Sequence, residues 1–441
     1  MTTPETVSPY RPLSGTEQSW YRAVPTGTGI TVISLHLSRP IPAQILENAI
    51  HKLLNYHPIL SSTLTPTSLS PVPSPPQIQT LTLENPNLSS IVELELNENP
   101  WDQPDRTEPV PTVFATVYND SFLVLRLHTA VCDRVSAATV VKELMGILAG
   151  KDGAGAGVEE GRGSLGIEDL IRKEDSWKPF WARGKDLVGY SINGLRSSGL
   201  GFRDAGSDRR SEMVRLVVGE VQTRKLLAAC KAKGVELSGA LAAAALLATY
   251  SSKHLENNQP ETYSMVTLIN CRKFLDPVLT EKDVGFYHSG IVNTHTIYGK
   301  ESLWEVAVRI HNAYSTAMSN KKHLTDIGDL NLLMCKAIDN PQLTPSSSLR
   351  TALISIFEEP LVYESSEVDR DLGVVDYVGC ASVHGVGPSI AVFDTIRDGK
   401  LDCAFVYPSP LHSREQVSDL VEHMERILTE GSHGDDEVTA K

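Results

Sequence analysis

The chain has 441 residues, 41% of them hydrophobic and 21% charged, a length that suits two globular units with a buried core each. Its 54 acidic side chains outnumber its 40 basic ones for a formal net charge of −14, which excludes a broadly cationic surface for nucleic acid or anionic lipid. Cysteines 132, 230, 271, 335, 380 and 403 are scattered without a Cys-x-x-Cys pair, residues 1–19 lack a signal-peptide pattern, and the longest apolar stretch, Leu237 to Tyr250, is too short to span a bilayer. The expectation is a cytoplasmic monomer with reduced thiols that acts on a small molecule, with no nucleic-acid partner and no membrane span.

In chain order, residues 1–27 read as an irregular opening segment and the β-branched run Gly29 to Leu37 as a strand. Pro42 opens a helix whose Ile45, Leu46, Ala49, Ile50, Leu53 and Leu54 recur at helical spacing, and His57-Pro58 ends it. Residues 61–90, rich in Pro, Ser and Thr, read as strands joined by a loop. Val113 to Tyr118 and Phe122 to Leu127 form a hairpin about Asn119-Asp120, and a helix from Ser136 to Leu148 follows. Gly150 to Gly166 reads as a glycine-rich loop; without a preceding strand or nucleotide-motif spacing it is no phosphate cradle. Trp177 to Asp208 reads as a surface crossover.

The second half starts with a strand at Met213 to Val218 and a helix at Val221 to Lys233, closed by Gly234. Ser238 is placed to cap an alanine-rich helix, whose small side chains imply close packing. Strands follow at Ser264 to Ile269, Gly290 to Thr296, Thr351 to Phe357 and Ile390 to Thr395; the last turns through Asp398-Gly399 onto Leu401 to Tyr407. A helix at Ser413 to Leu428 closes the fold. The division expected is an N-terminal lobe at 1–190, a linker at 191–210, a C-terminal lobe at 211–430 and a disordered tail at 431–441.

The stretch that carries chemistry is Leu125-Arg126-Leu127-His128-Thr129-Ala130-Val131-Cys132-Asp133-Arg134: a buried strand ends in His, a carboxylate follows five residues later, and a helix begins. It resembles the His-His-x-x-x-Asp-Gly motif of the CoA-dependent acyltransferase superfamily, which includes chloramphenicol acetyltransferases, plant BAHD acyltransferases and peptide-synthetase condensation domains. Asn55-Tyr56-His57-Pro58-Ile59-Leu60, Gly234-Val235-Glu236-Leu237-Ser238, Ile269-Asn270-Cys271-Arg272 and Val284-Gly285-Phe286-Tyr287 resemble further superfamily segments in the same order. The resemblance implies an α/β, two-lobed chloramphenicol acetyltransferase-like fold with mixed sheets and an inter-lobe tunnel. It implies no resident cofactor, with a CoA thioester as co-substrate only if acyl transfer is retained.

In that superfamily the second His is the general base, suited by a pKa near neutrality, and the Asp is structural and pairs with a later Arg. Here His128 matches the first His, Thr129 stands where the base belongs, Asp133 matches the Asp and Arg134 replaces the Gly. A threonine hydroxyl is no base at neutral pH, and strand alternation turns His128 away if Thr129 faces the tunnel. Asp133 is expected within about 5 Å of Arg272. Five residues are candidates for catalysis: His128, Thr129, His384, Tyr287 and His288. His384 is the favoured replacement base, because the glycines around it belong to a loop expected at the tunnel. Arg134, Phe286, Ser382 and Ser389 are candidates for substrate binding. No metal spacing and no Gly-x-Ser-x-Gly elbow occur. The leading expectation is an enzyme of secondary metabolism that binds an apolar molecule in the tunnel and promotes a cyclisation, of Diels–Alder type for example, by holding a reactive conformer. The alternatives are acyl transfer with a displaced base and a non-catalytic binding or scaffold protein.

Overall fold

Thr28–Leu37 is a run of β-branched and aliphatic residues buried on both faces, as a central strand must be. In the computed structural model, which describes residues 11–71, 78–102, 110–151, 165–255 and 259–433, it lies inside a five-stranded sheet. On one side it pairs antiparallel with Phe122–His128, which continues through Val113–Tyr118 to Ile78–Leu81; on the other it pairs with Val374–Val383, lent by the second half of the chain. Asn119 and Asp120 both take positive φ, the signature of the tight hairpin turn expected there.

The larger sheet runs His288–Ile297, Glu261–Asn270, Arg350–Phe357, Gly387–Arg397, Lys400–Ser409 and Arg210–Val218 in spatial order, with Leu361–Tyr363 added beside Gly387–Arg397. It is mixed, because Arg350–Phe357 runs parallel to both its neighbours while the outer pairs are antiparallel. The alanine-rich helix Leu237–Ser251 is buried from Leu237 to Tyr250 and packs against the helices Leu303–Ser319 and Arg414–His433. Among the described residues no single helix is long and apolar enough to cross a membrane; Glu220–Lys233 and Leu237–Ser251 reach that composition only together, across a 100° bend.

Several local expectations need correction. The opening segment holds a helix, Gly15–Ala23, capped reciprocally by Ser14 and Glu17. The 61–90 region ends in the start of a helix, Leu88–Asn97, capped by Asn87 and Ser90. The crossover contains the helix Phe180–Arg196. Ser238 sits inside its helix rather than at the cap, because the extended residue that starts the helix is Glu236. Residues 379–389 are not one loop: the strand Val374–Val383 runs through Gly379 to Val383, and the next strand starts at Gly387. The closing helix extends to His433, and the rest of the expected tail, 434–441, lies outside the described residues, as does most of the glycine-rich loop, 152–164.

Candidate functional site

The motif strand Phe122–His128 ends in one tight turn, Thr129–Val131, before the helix Arg134–Leu148. This break in the strand decides which side chains reach the interior. A cavity of about 650 Å³ is lined by both sheets: Thr31, Ile33 and Gly379 belong to the first, and Val266, His288 and Phe357 to the second. Thr129 is in its wall. The Thr129 hydroxyl donates to the Gly29 carbonyl at 2.6 Å and shares a hydrogen bond with Thr31 Oγ1 at 2.7 Å. Gly29 has φ +91°, and a Cβ there would lie 2.9 Å from the Trp20 ring. Glycine therefore lets this strand approach Trp20, which packs on Phe286 at 5.3 Å between centroids.

Asp133 caps the motif helix, its Oδ1 accepting from Ser136 N at 2.8 Å. The same carboxylate accepts from Arg272 Nη1 at 2.9 Å and Nη2 at 3.2 Å, well inside the 5 Å expected, and from the backbone N of Tyr287 at 2.8 Å. Its last partner is His288 Nδ1, at 2.9 Å from Oδ2. Burial alone would push the Asp133 carboxyl up, but Arg272 and His288 outweigh it and hold the group well below the usual carboxylate range. Asp133 thus stays ionised and can only accept. The proton in the His288–Asp133 hydrogen bond must then sit on Nδ1, so Nε2 is the ring nitrogen left free of Asp133. Among the described residues nothing hydrogen-bonds to that Nε2, and His288 is in the cavity wall between Phe286 and Phe357.

The other expected site residues divide. Arg134 lines the cavity, stacks over the Phe357 ring at 4.3 Å and donates to Asp394 Oδ1 at 3.3 Å. Phe286 and Ser382 also line it, and Ser382 Oγ accepts from Ile30 N at 3.0 Å. His128 does not join them. As the last residue of the strand it turns the other way, edge-on to Trp101 at 5.1 Å, with Nδ1 accepting from Ala130 N at 3.1 Å. Burial lowers its pKa to about 3, so it stays neutral. His384, the favoured replacement base, is outside the cavity wall too. It is held by Ser211 Oγ at 3.0 Å from Nδ1 and packed so closely on Gly27 that a Cβ there would lie 2.0 Å from its ring. Burial, aided by Arg350, lowers its pKa to about 4. Tyr287 contributes its backbone to Asp133 while its hydroxyl reaches the Leu165 carbonyl at 3.3 Å, and Ser389 is likewise outside the wall.

Sequence reading missed Trp20, Arg350 and the helix Ile327–Asp339, whose Leu330, Leu333 and Met334 supply apolar wall. Leu330, Leu333 and Met334 recur at helical spacing, a signal that was available; nothing local marks Arg350 as a cavity residue. Among the described residues no group of three His, Cys, Asp or Glu side chains could hold a metal ion.

Residues 207–327 match the family model of the phthiocerol/phthiodiolone dimycocerosyl transferase C-terminus. No curated protein matches the sequence. Among solved structures, trichothecene 15-O-acetyltransferase from Fusarium sporotrichioides superposes with a TM-score of 0.73 at 11% identity, over 95% of this chain and 94% of that one. Polyketide synthase associated protein 5 from Mycobacterium tuberculosis gives 0.67 at 15% identity, over 97% and 99%. The epimerization domain from the third module of tyrocidine synthetase B gives 0.63 at 14%, over 96% and 97%.

Proposed function

From a chain with the two-lobed fold of the CoA-dependent acyltransferase and condensation-domain superfamily, we propose an enzyme of secondary metabolism that transfers an acyl group from a thioester to a hydroxyl or amine, with His288 as the general base. The observation that carries this reading is the His288–Asp133 pair in the cavity wall. Thr129 lacks a usable base, and His288 brings an imidazole to the same cavity from the opposite sheet.

In this reading Nε2 of His288 takes the proton of the acceptor O–H or N–H as that atom attacks the thioester carbonyl carbon. The tetrahedral adduct collapses, the C–S bond breaks, and the leaving thiolate takes the proton back from the imidazolium. Asp133 holds the tautomer and stabilises the transient cation. Positioned general-base catalysis of this kind contributes roughly 10²–10⁴-fold. The thioester is a co-substrate, as CoA or a carrier-bound arm, and there is no resident cofactor. Val266, Leu268, Val292 and Met334 in the wall suit an apolar substrate.

The test is release of free thiol with a matching mass gain on the acceptor, across a panel of acyl-CoA donors and hydroxylated apolar acceptors. His288→Gln should lower this turnover roughly 10²–10⁴-fold, while His384→Asn leaves it nearly unchanged. The same apolar wall supports the second reading, cyclisation by conformer selection. A cyclase would release no thiol and would keep its rate in His288→Gln, and that result would replace the first reading with the second.

A further inference from the structure

Arginines buried in a protein interior are paired, because an isolated guanidinium has lost its water and gained nothing. Among the described residues Arg126, Arg272 and Arg350 are the buried ones. Arg126 pairs with Glu95 at 2.5 Å and Arg272 with Asp133 at 2.9 Å. Arg350 differs, for among the described residues no carboxylate lies within ion-pairing distance of it. Carbonyls hold it instead: Nε donates to Ser348 O at 3.1 Å, and Nη1 to Val383 O at 2.9 Å and to Pro388 O. Nη2 is buried with no acceptor among the described residues.

The neighbourhood adds positive charge and, among the described residues, no carboxylate in ion-pairing distance. Arg209 donates to the Ser348 carbonyl at 2.6 Å, which Arg350 also uses, and its Nε is likewise without an acceptor among the described residues. Burial, and then Arg209, lower the Arg350 pKa to about 9. Arg350 nevertheless belongs to the cavity wall, beside Pro345, Val386 and Pro388. Its carbonyl partners fix the guanidinium in advance, so an incoming anion would not have to order it.

The place of this group along the cavity is set by one strand. Arg350 starts the strand Arg350–Phe357 and Phe357 ends it, seven steps at about 3.3 Å each, or roughly 23 Å. The Phe357 ring is 5.6 Å from that of His288. The uncompensated cation and the proposed base therefore lie roughly 20 Å apart along one mainly apolar wall.

We propose that the Arg350 end of the cavity binds an anionic group, a carboxylate or phosphate, of a long substrate whose reacting atoms lie at His288, roughly 20 Å away. That the anionic molecule is a substrate rests on the acyl-transfer reading; that an anion binds there does not. The anion could belong to an acceptor with a remote carboxylate or to the phosphate of a pantetheine-type thioester arm.

Two matched probe pairs separate these sources by calorimetric titration: ω-hydroxypalmitate against its methyl ester, and phosphopantetheine against pantetheine. In the wild type the anionic member of at least one pair should bind tenfold or more tightly than its neutral partner, and the pair that discriminates names the source. Arg350→Gln should abolish that preference, and Arg209→Gln, which leaves the carbonyl cradle of Arg350 intact, should reduce it several-fold. Should Arg350→Gln fail to fold by circular dichroism, the wild-type pairs and Arg209→Gln decide the matter. Equal binding of both members in both pairs, or a preference untouched by the folded variants, overturns the proposal. The preference should persist in His288→Gln. If it does while turnover is also unaffected there, the anion site stands and the acyl-transfer reading alone fails.

Discussion

His128 and His288 are both buried histidines, one ending a strand of the first sheet and the other starting a strand of the second. His128 sits in the motif that draws the eye, and its ring is spent on Trp101 and one backbone N–H. His288, also a sequence candidate, follows the Val284–Tyr287 segment; its Nδ1 faces a carboxylate and the residue lines the cavity. The shared element is Asp133, which the motif supplies and the opposite sheet uses. Burial without a charged partner holds the His128 imidazole neutral, whereas the Asp133 carboxylate fixes the tautomer and orientation of the His288 ring.

The harshest way to break this contrast is to remove Asp133. Asp133→Ala leaves Arg272 buried and unpaired, so it should cost about 3–5 kcal/mol by urea denaturation and abolish thiol release as well. A variant with near wild-type stability would show that Arg272 finds another partner. Next, His288→Gln should remove most turnover and, through the lost hydrogen bond to the buried Asp133 carboxylate, cost about 1–3 kcal/mol. His128→Gln should also cost about 1–3 kcal/mol but with little change in rate per folded molecule. If both variants lose rate equally, the contrast between the two histidines collapses.

The pH dependence of stability sharpens it further. His128, held near 3 by burial, and His384, held near 4, are neutral in the folded chain. Both titrate near 6.5 once unfolded. Between these values the unfolded state binds more protons, so stability is full above about pH 6.5 and falls as pH drops toward the folded values. Each such histidine contributes a slope of up to about 1.4 kcal/mol per pH unit in that window, and His128→Gln should remove its share from the urea midpoint plotted against pH. The Asp133 contribution should persist to lower pH, since its carboxyl is held far below the usual range. Gly29→Ala should cost about 1–3 kcal/mol by urea denaturation, through the positive φ and the contact with Trp20, and distort the wall beside Thr129.

Much of the fold was legible locally. The hairpin at Asn119-Asp120, the helix closed by Gly234 and the turn at Asp398-Gly399 follow from backbone preferences of single residues, which act within a few positions. The Ser14–Glu17 capping box was legible in the same way and was passed over. The helix Phe180–Arg196 was hidden for a physical reason. It is held to the body by charge, with Lys178 just before it bonded to Asp326 at 2.7 Å and Asp329 at 3.0 Å, while its apolar Trp181, Val188 and Ile192 recur at helical spacing but stay exposed instead of forming a buried face.

By itself the sequence determined the strand that ends at His128, because periodicity acts along the chain and is carried there. The missing base at Thr129 and the pairing of Asp133 with Arg272 were implied by the resemblance of the motif, and the structure places that pair at 2.9 Å. Only the tertiary structure decided that His288 meets Asp133 from the opposite sheet, that His384 is packed away, and that Arg350 lines the cavity with no carboxylate partner among the described residues. Each of these depends on which strands become neighbours, and an ion pair or its absence exists only between groups brought together from distant parts of the chain.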